Sequence, residues 1–133
     1  MIRRIFWLLI FVTGLGWVVA SGIQKVRFEA EIRRMLLSVQ TALQDYHVDQ
    51  ERYIPREKLT GTEIITVLSD FEFLDELPPN PWSGTAWKLD GEEPDHLVYE
   101  TDPNFETYAL KALDPKSGEV MMELDSEENP SLE

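Results

Sequence analysis

The chain has 133 residues, no cysteine, 43% hydrophobic residues and 12 basic against 25 acidic side chains. That suffices for one small globular domain with an attachment and excludes a two-domain enzyme. A net charge of -13 argues against a nucleic-acid partner, since phosphate contacts need clustered Lys and Arg, and the lack of cysteine excludes disulfide scaffolds and thiolate metal sites.

Charge is unevenly placed along the chain. Residues 1–34 carry six basic groups (Arg3, Arg4, Lys25, Arg27, Arg33, Arg34) against Glu29 and Glu31. From Glu63 onward only Lys88, Lys111 and Lys116 oppose 19 carboxylates, the pattern of a solvated, self-repelling surface. The organisation that follows is a transmembrane segment over residues 1–23, an amphipathic stalk and junction over 24–54, a globular head over 55–125 and a flexible acidic tail over 126–133.

Residues 5–23 contain no ionisable side chain, and only Thr13 and Ser21 are polar. As a helix this run spans about 28 Å, which fits a hydrocarbon core. Arg3 and Arg4 precede it, so membrane targeting is expected. Val18, Val19 and Ala20 before Ser21 place small residues where a signal peptidase cuts, which makes a cleaved signal peptide the rival to a retained anchor. Retention is favoured by the length of the apolar stretch and by the helical periodicity that resumes directly after it. Gly16 and Ala20 form a weak small-xxx-small pair. Lys25, Arg27, Arg33 and Arg34 outnumber Arg3 and Arg4, so local charge does not fix orientation.

From Phe28 the apolar residues Ile32, Met35, Leu36, Val39, Leu43 and Tyr46 recur every three or four positions, one stripe of an amphipathic helix. Glu31, Arg33, Arg34, Gln40, Gln44 and Asp45 fall on its wet side. No proline occurs between residues 5 and 54, so span and stalk are read as one helix of about forty residues, about 60 Å long. Its end is placed near residues 48–51, ahead of Pro55.

The junction Ala42-Leu43-Gln44-Asp45-Tyr46-His47-Val48-Asp49-Gln50-Glu51-Arg52-Tyr53-Ile54-Pro55 resembles the stalk-to-head junction of type IV pilin-like proteins. It is most similar to the major pseudopilin of type II secretion. Leu77-Pro78-Pro79-Asn80-Pro81-Trp82-Ser83-Gly84 is similar to that family's Leu-Pro-x-Asp-Pro-Trp-Gly turn, and Phe105-Glu106-Thr107-Tyr108-Ala109-Leu110 sits where a family strand is expected. The likeness runs from the apolar segment to about Asp125. Family members begin with a basic leader, a Gly cut by prepilin peptidase and a Glu five residues into the mature chain. Here Gly14, Gly16 and Gly22 lack a Glu at that spacing, and counting back from Tyr46 places the motif at or before Met1.

In the head, Thr60-Gly61-Thr62-Glu63 before Ile64, Ile65, Val67 and Leu68 predicts a short helix capped by Thr60 or Thr62, its apolar side against the stalk. Leu74, Leu77 and Trp82 are expected to continue that contact, with Trp82 as a core plug beside the turn forced by Pro78, Pro79 and Pro81. Alternation over residues 85–89, 97–101, 107–113 and 119–124, separated by Gly-, Pro- and Asp-bearing turns, predicts antiparallel neighbours. The fold class is therefore α+β: a long N-terminal helix packed on a small antiparallel meander, which the resemblance makes pilin-like.

Catalysis has little support in the residues. His47 and His96 are the only histidines and have no Ser or Asp at motif spacing. The adjacent carboxylates Asp75-Glu76, Glu92-Glu93 and Glu127-Glu128 point different ways in solvated loops. No cofactor is expected; calcium is the one candidate, because major pseudopilins bind it in a loop near the C-terminus. The residues matching that region are Asp114, Glu119 and Asp125, beside Glu127 and Glu128. A hard cation wants six to eight oxygens, whereas residues 114–118 read as a tight hairpin turn and the Asp-rich family loop is not reproduced.

The resemblance implies a non-enzymatic structural protein, single-pass in a bacterial inner membrane with its C-terminal head in the periplasm, and working in a type II secretion or pilus-like assembly. Its partners would be the inner membrane and like subunits or other secretion components, met through the stripe Ile32, Leu36, Val39, Leu43 and Tyr46. The alternative is a solitary anchored or secreted periplasmic binding module that does not polymerise.

Overall fold

The computed structural model describes the backbone of residues 2–127 and the side chains of residues 25–127. The apolar run at residues 5–23 and the tail residues 128–133 lie outside the described side chains. Among the described residues no helix is long and apolar enough to cross a membrane. The chain divides into two units, Met1–Ala30 and Glu31–Glu133. In the first, the described side chains of residues 25–30 are exposed except for half-buried Phe28.

Helix α1 runs Ile2–Gln50, proline-free throughout. It stops where Glu51 turns left-handed (φ 62), its N–H donating to the His47 carbonyl at 2.8 Å. Four residues later Pro55 bars any continuation. The stripe expected from periodicity is the buried one: Ile32, Met35, Leu36, Val39 and Leu43 are 0% exposed and Tyr46 4%. Each such side chain contributes about 1.5–3 kcal/mol of burial.

Gln40 departs from the expected wet side. It is 1% exposed and its Nε2 donates to the Asp125 carbonyl at 3.0 Å. A buried amide needs partners, and this bond ties α1 to the end of the last strand.

After α1 come β1 (Lys58–Thr60), α2 (Gly61–Asp70), β2 (Pro79–Asn80), β3 (Thr85–Ala86), β4 (Leu97–Thr101), β5 (Tyr108–Leu113) and β6 (Val120–Asp125). The main sheet is antiparallel with order β1-β4-β5-β6. Its core-facing rows follow from register: Leu59 opposes Tyr99, Tyr99 opposes Leu110, and Leu110 opposes Leu124. Leu97, Ala112 and Met122 form the next row. The period-two alternation buries Leu97, Tyr99, Tyr108, Leu110 and Ala112. A register shift at Ala112/Leu113 breaks the alternation at the start of β6, leaving Val120 and Met121 both exposed.

The fold class α+β, with one long N-terminal helix and an antiparallel sheet, is therefore observed. Three local expectations need correction. β1 was not anticipated, because three residues carry no period. The strand foreseen over residues 85–89 shrinks to Thr85–Ala86 and pairs with β2 in a separate ribbon. The core plug is Trp87, 1% exposed, while Trp82 is half-buried and sets its ring edge-on to His96 at 5.4 Å. The turn places Trp82 on the rim because Asn80 is the buried anchor there. Its Nδ2 donates to Glu93 Oε2 and the Pro94 carbonyl, and its Oδ1 accepts the Trp82 N–H.

Helix α2 lies beside β1 and β4. Just past its end, Phe71 and Phe73 set their rings edge-on to Tyr46 of α1 at 5.6 and 5.7 Å. Thr60 caps the helix in a reciprocal box with Glu63. Its C-terminus closes with Glu72 left-handed (φ 62), Phe73 N–H on the Leu68 carbonyl and Glu72 N–H on that of Ser69, a Schellman arrangement.

Candidate functional site

The carboxylates expected to ligate calcium are not brought together. Asp114 and Glu119 flank the β5–β6 turn, where Asp114 N–H donates to the Glu119 carbonyl and Asp114 Oδ1 accepts the Lys116 N–H. Asp125 is at the other end of β6, opposite Ala109. Five residues of strand separate it from Val120, about 17 Å. Among the described residues no group of three or more His, Asp or Glu is placed to hold a metal ion.

Asp125 instead borders a shallow hollow of about 370 Å³ with Glu100, Asp102 and Glu127. Three of those carboxylates are committed to structure. Glu100 pairs with Lys111 at 2.8 Å, Asp102 Oδ1 accepts the N–H groups of Glu106 and Thr107, and Asp125 Oδ1 accepts that of Glu127. The backbone N–H of Thr107, chiefly, holds the Asp102 carboxyl below its ordinary value. Glu100 raises the Lys111 ammonium.

The stripe Ile32, Leu36, Val39, Leu43 and Tyr46 is likewise not a free surface. All five side chains are buried within the protein itself, so the face assigned to neighbouring subunits is already occupied by the head. Helical periodicity identifies a face that must be covered; it does not identify the cover.

Of the two histidines, His47 lies half-buried with its ring 4.5 Å from that of Tyr53. His96 meets Trp82 as described. Neither forms a side-chain hydrogen bond with a nucleophile or carboxylate among the described residues.

The concavity with site character lies elsewhere, in a groove of about 590 Å³ between the end of α1, the junction, β1 and α2. Tyr46 and Gln50 come from α1; Arg52, Ile54, Pro55 and Arg56 from the junction; Leu59 from β1; and Val67 and Phe71 from α2 and its end. Tyr53 and Ile54 turn into the core while Arg52 and Arg56 stay exposed. Ile54 is fixed from below, since the buried Tyr99 hydroxyl donates to its carbonyl at 3.0 Å. Burial, with neighbouring Tyr46 and Tyr108 adding, pushes the Tyr99 phenol far above its usual value, so it stays a donor.

The groove was legible only as fragments: two arginines bracketing Tyr-Ile-Pro, and a phenylalanine just past a helix. Nothing in either fragment says that they meet. Compared with protein-family models, with curated proteins and with solved structures, the chain matches none.

Proposed function

We propose that the chain is a membrane-anchored, pilin-like structural protein, most like a pseudopilin, that acts without catalysis in a type II secretion or pilus-like assembly. Its apolar run at residues 5–23 would sit in a bacterial inner membrane with the head in the periplasm. The observation that carries this reading is the single proline-free helix whose amphipathic C-terminal part is buried under a four-stranded antiparallel sheet and comes directly after that apolar run in the sequence. In such an assembly Arg33 and Arg34, exposed and without an ion pair among the described residues, meet carboxylates of a neighbouring acidic head.

One observation favours a second reading. The stripe is fully covered inside the protein, which suits a solitary anchored or secreted periplasmic module that does not polymerise.

Two measurements decide between them. The first is N-terminal sequencing of the protein recovered from membranes. Retention of residues 5–23 with extraction only by detergent is expected, whereas cleavage after Ala20 would remove the anchor and overturn the structural reading. The second is crosslinking from an Arg33→Cys variant in the native membrane. A ladder of like subunits, or a discrete adduct with a secretion component, supports assembly, and monomers alone leave the solitary module.

A further inference from the structure

The groove at the α1–junction–α2 corner combines two properties. Its lining is apolar, with Tyr46, Leu59, Val67 and Phe71 among the residues that form it, and Phe71 is 52% exposed. A large ring held half in water is apolar area not yet covered. The groove's charge is also opposite to that of the molecule. In a chain of net charge -13, two arginines, Arg52 and Arg56, line this hollow against one carboxylate, Glu63. That carboxylate is already accepting the Thr60 N–H at 3.2 Å. Neither arginine has an ion pair among the described residues, where Lys111–Glu100 is the one formed.

We infer that this groove binds a small amphipathic monoanion: a single apolar chain or ring system ending in one carboxylate. The volume of about 590 Å³ is that of a small-molecule site, typically about 300–1,000 Å³. The charge arrangement selects the head group. A guanidinium holds a carboxylate through paired N–H donors, and a neutral ligand would leave both arginines without an anionic partner. A polyanion would gain at the two arginines and lose against the surrounding carboxylates. The apolar body then covers Val67 and Phe71 while the carboxylate meets Arg52 and Arg56. This site stands apart from the filament reading, because it needs no neighbouring subunit and takes only Tyr46 from the buried stripe.

The test uses the full chain reconstituted in discs of neutral phosphatidylcholine, titrated calorimetrically with octanoate, empty discs serving as the blank. Octanoate is expected to bind with one site per chain, and octan-1-ol, equal in length but neutral, at least about tenfold more weakly. An Arg52→Gln/Arg56→Gln variant, changed only at exposed positions, is expected to lose about tenfold for octanoate and nothing for octanol. Thr66→Trp, which fills the hollow from α2, is expected to abolish both. Its melting curve shows whether it is folded, and the double glutamine variant decides the matter if it is not. Equal binding of acid and alcohol, octanoate binding unchanged in the double variant, or no heat above that of the empty discs would each overturn the proposal. So would a response obtained only with discs containing phosphatidylserine, which would mark a membrane-surface contact instead. None of these results bears on subunit crosslinking from position 33, so this inference and the assembly reading fail separately.

Discussion

The carboxylate of Asp95 takes the first two amides of α2 end-on: Gly61 N–H donates to Oδ1 at 3.0 Å and Thr62 N–H to Oδ2 at 2.7 Å. Oδ1 also accepts the Leu97 N–H at 3.2 Å, so one side chain joins the start of α2 to the start of β4. With Glu63 N–H taken by Thr60 Oγ1 and Thr60 N–H by Glu63 Oε1, all four orphan amides of that helix end have acceptors, and a negative group sits where the helix dipole favours it. Asp95→Ala is expected to cost about 2–3 kcal/mol, since hydrogen bonds to a charged group contribute about 1.5–3 each and are not additive. Asp95→Asn, which keeps one acceptor, should cost about half as much. Urea unfolding of both variants measures the difference, and a loss below about 0.5 kcal/mol for the alanine variant would mean that the bridge contributes little.

Gly61 stands at this same corner because nothing larger fits. A Cβ there would lie 2.7 Å from Leu97 Cβ, 2.7 Å from Asp95 Oδ1 and 3.0 Å from the Trp87 ring. In an open helix Gly→Ala gains up to about 1 kcal/mol; here the contact with a strand Cβ reverses the sign. Gly61→Ala is expected to destabilise by about 1–3 kcal/mol, read as a lower denaturation midpoint. A stabilised alanine variant would refute the close approach.

How much of this was readable in the chain depends on the range of the cause. The Thr60 cap, the end of α1 near Gln50 and the span of β4 rest on neighbours within a few positions, and the residues state them. Gln40, Trp87 and the arginine-bearing groove rest on partners brought together only by the fold, as with Gln40 and the Asp125 carbonyl 85 positions away. Local polarity put Gln40 outside, and only the fold supplies the acceptor that lets it in. Asp114, Glu119 and Asp125 show the same limit from the other side. The resemblance suggested a cluster there, and the extended geometry of β6 separates Asp125 from the other two.

The buried phenols predict an alkaline limit to stability. Burial raises the Tyr99 hydroxyl far above 10.0 and also raises that of Tyr53. In the unfolded chain these groups ionise near 10.0, so above that pH the unfolded state loses protons that the folded state retains. Their contribution is therefore complete below about pH 10 and falls as the pH rises beyond it. Denaturation midpoints taken from about pH 9 to about pH 11.5 should decline, and Tyr99→Phe should flatten part of the decline. The same variant, having lost the bond to the Ile54 carbonyl, should be less stable at neutral pH by about 0.5–1.5 kcal/mol. An unchanged slope would show that Tyr99 is hydrated.

Two helix ends carry a glutamate where the backbone favours glycine. Glu51 and Glu72 both have φ 62, a conformation that a Cβ opposes. Glu51→Gly and Glu72→Gly are each expected to stabilise by about 0.5 kcal/mol, the relief of strain exceeding the added freedom of the unfolded chain. A small rise in melting temperature for each, additive in the double variant because the helices end independently, is the expected reading. A fall would show that the glutamate side chains make contacts worth more than the strain.

The covered stripe of α1 makes the last prediction, and it separates a core from an interface. Leu43 is 0% exposed, as are Leu36 and Val39, and they share a side of α1 with Gln40, which is bonded across to β6. If these residues serve the head, Leu43→Ala removes buried methyl groups from a packed core and costs about 2–5 kcal/mol in the isolated subunit. If they served a neighbour, the isolated subunit would lose no more than about 0.5 kcal/mol, the range for surface changes, and crosslinking from position 33 would weaken instead. The burial argues for the first outcome. Subunit contacts in any assembly would then have to come from the exposed side of α1, where Arg33, Arg34, Thr41 and Asp45 face solvent, so charge reversal at Arg34 should weaken crosslinking from position 33 without moving the unfolding midpoint.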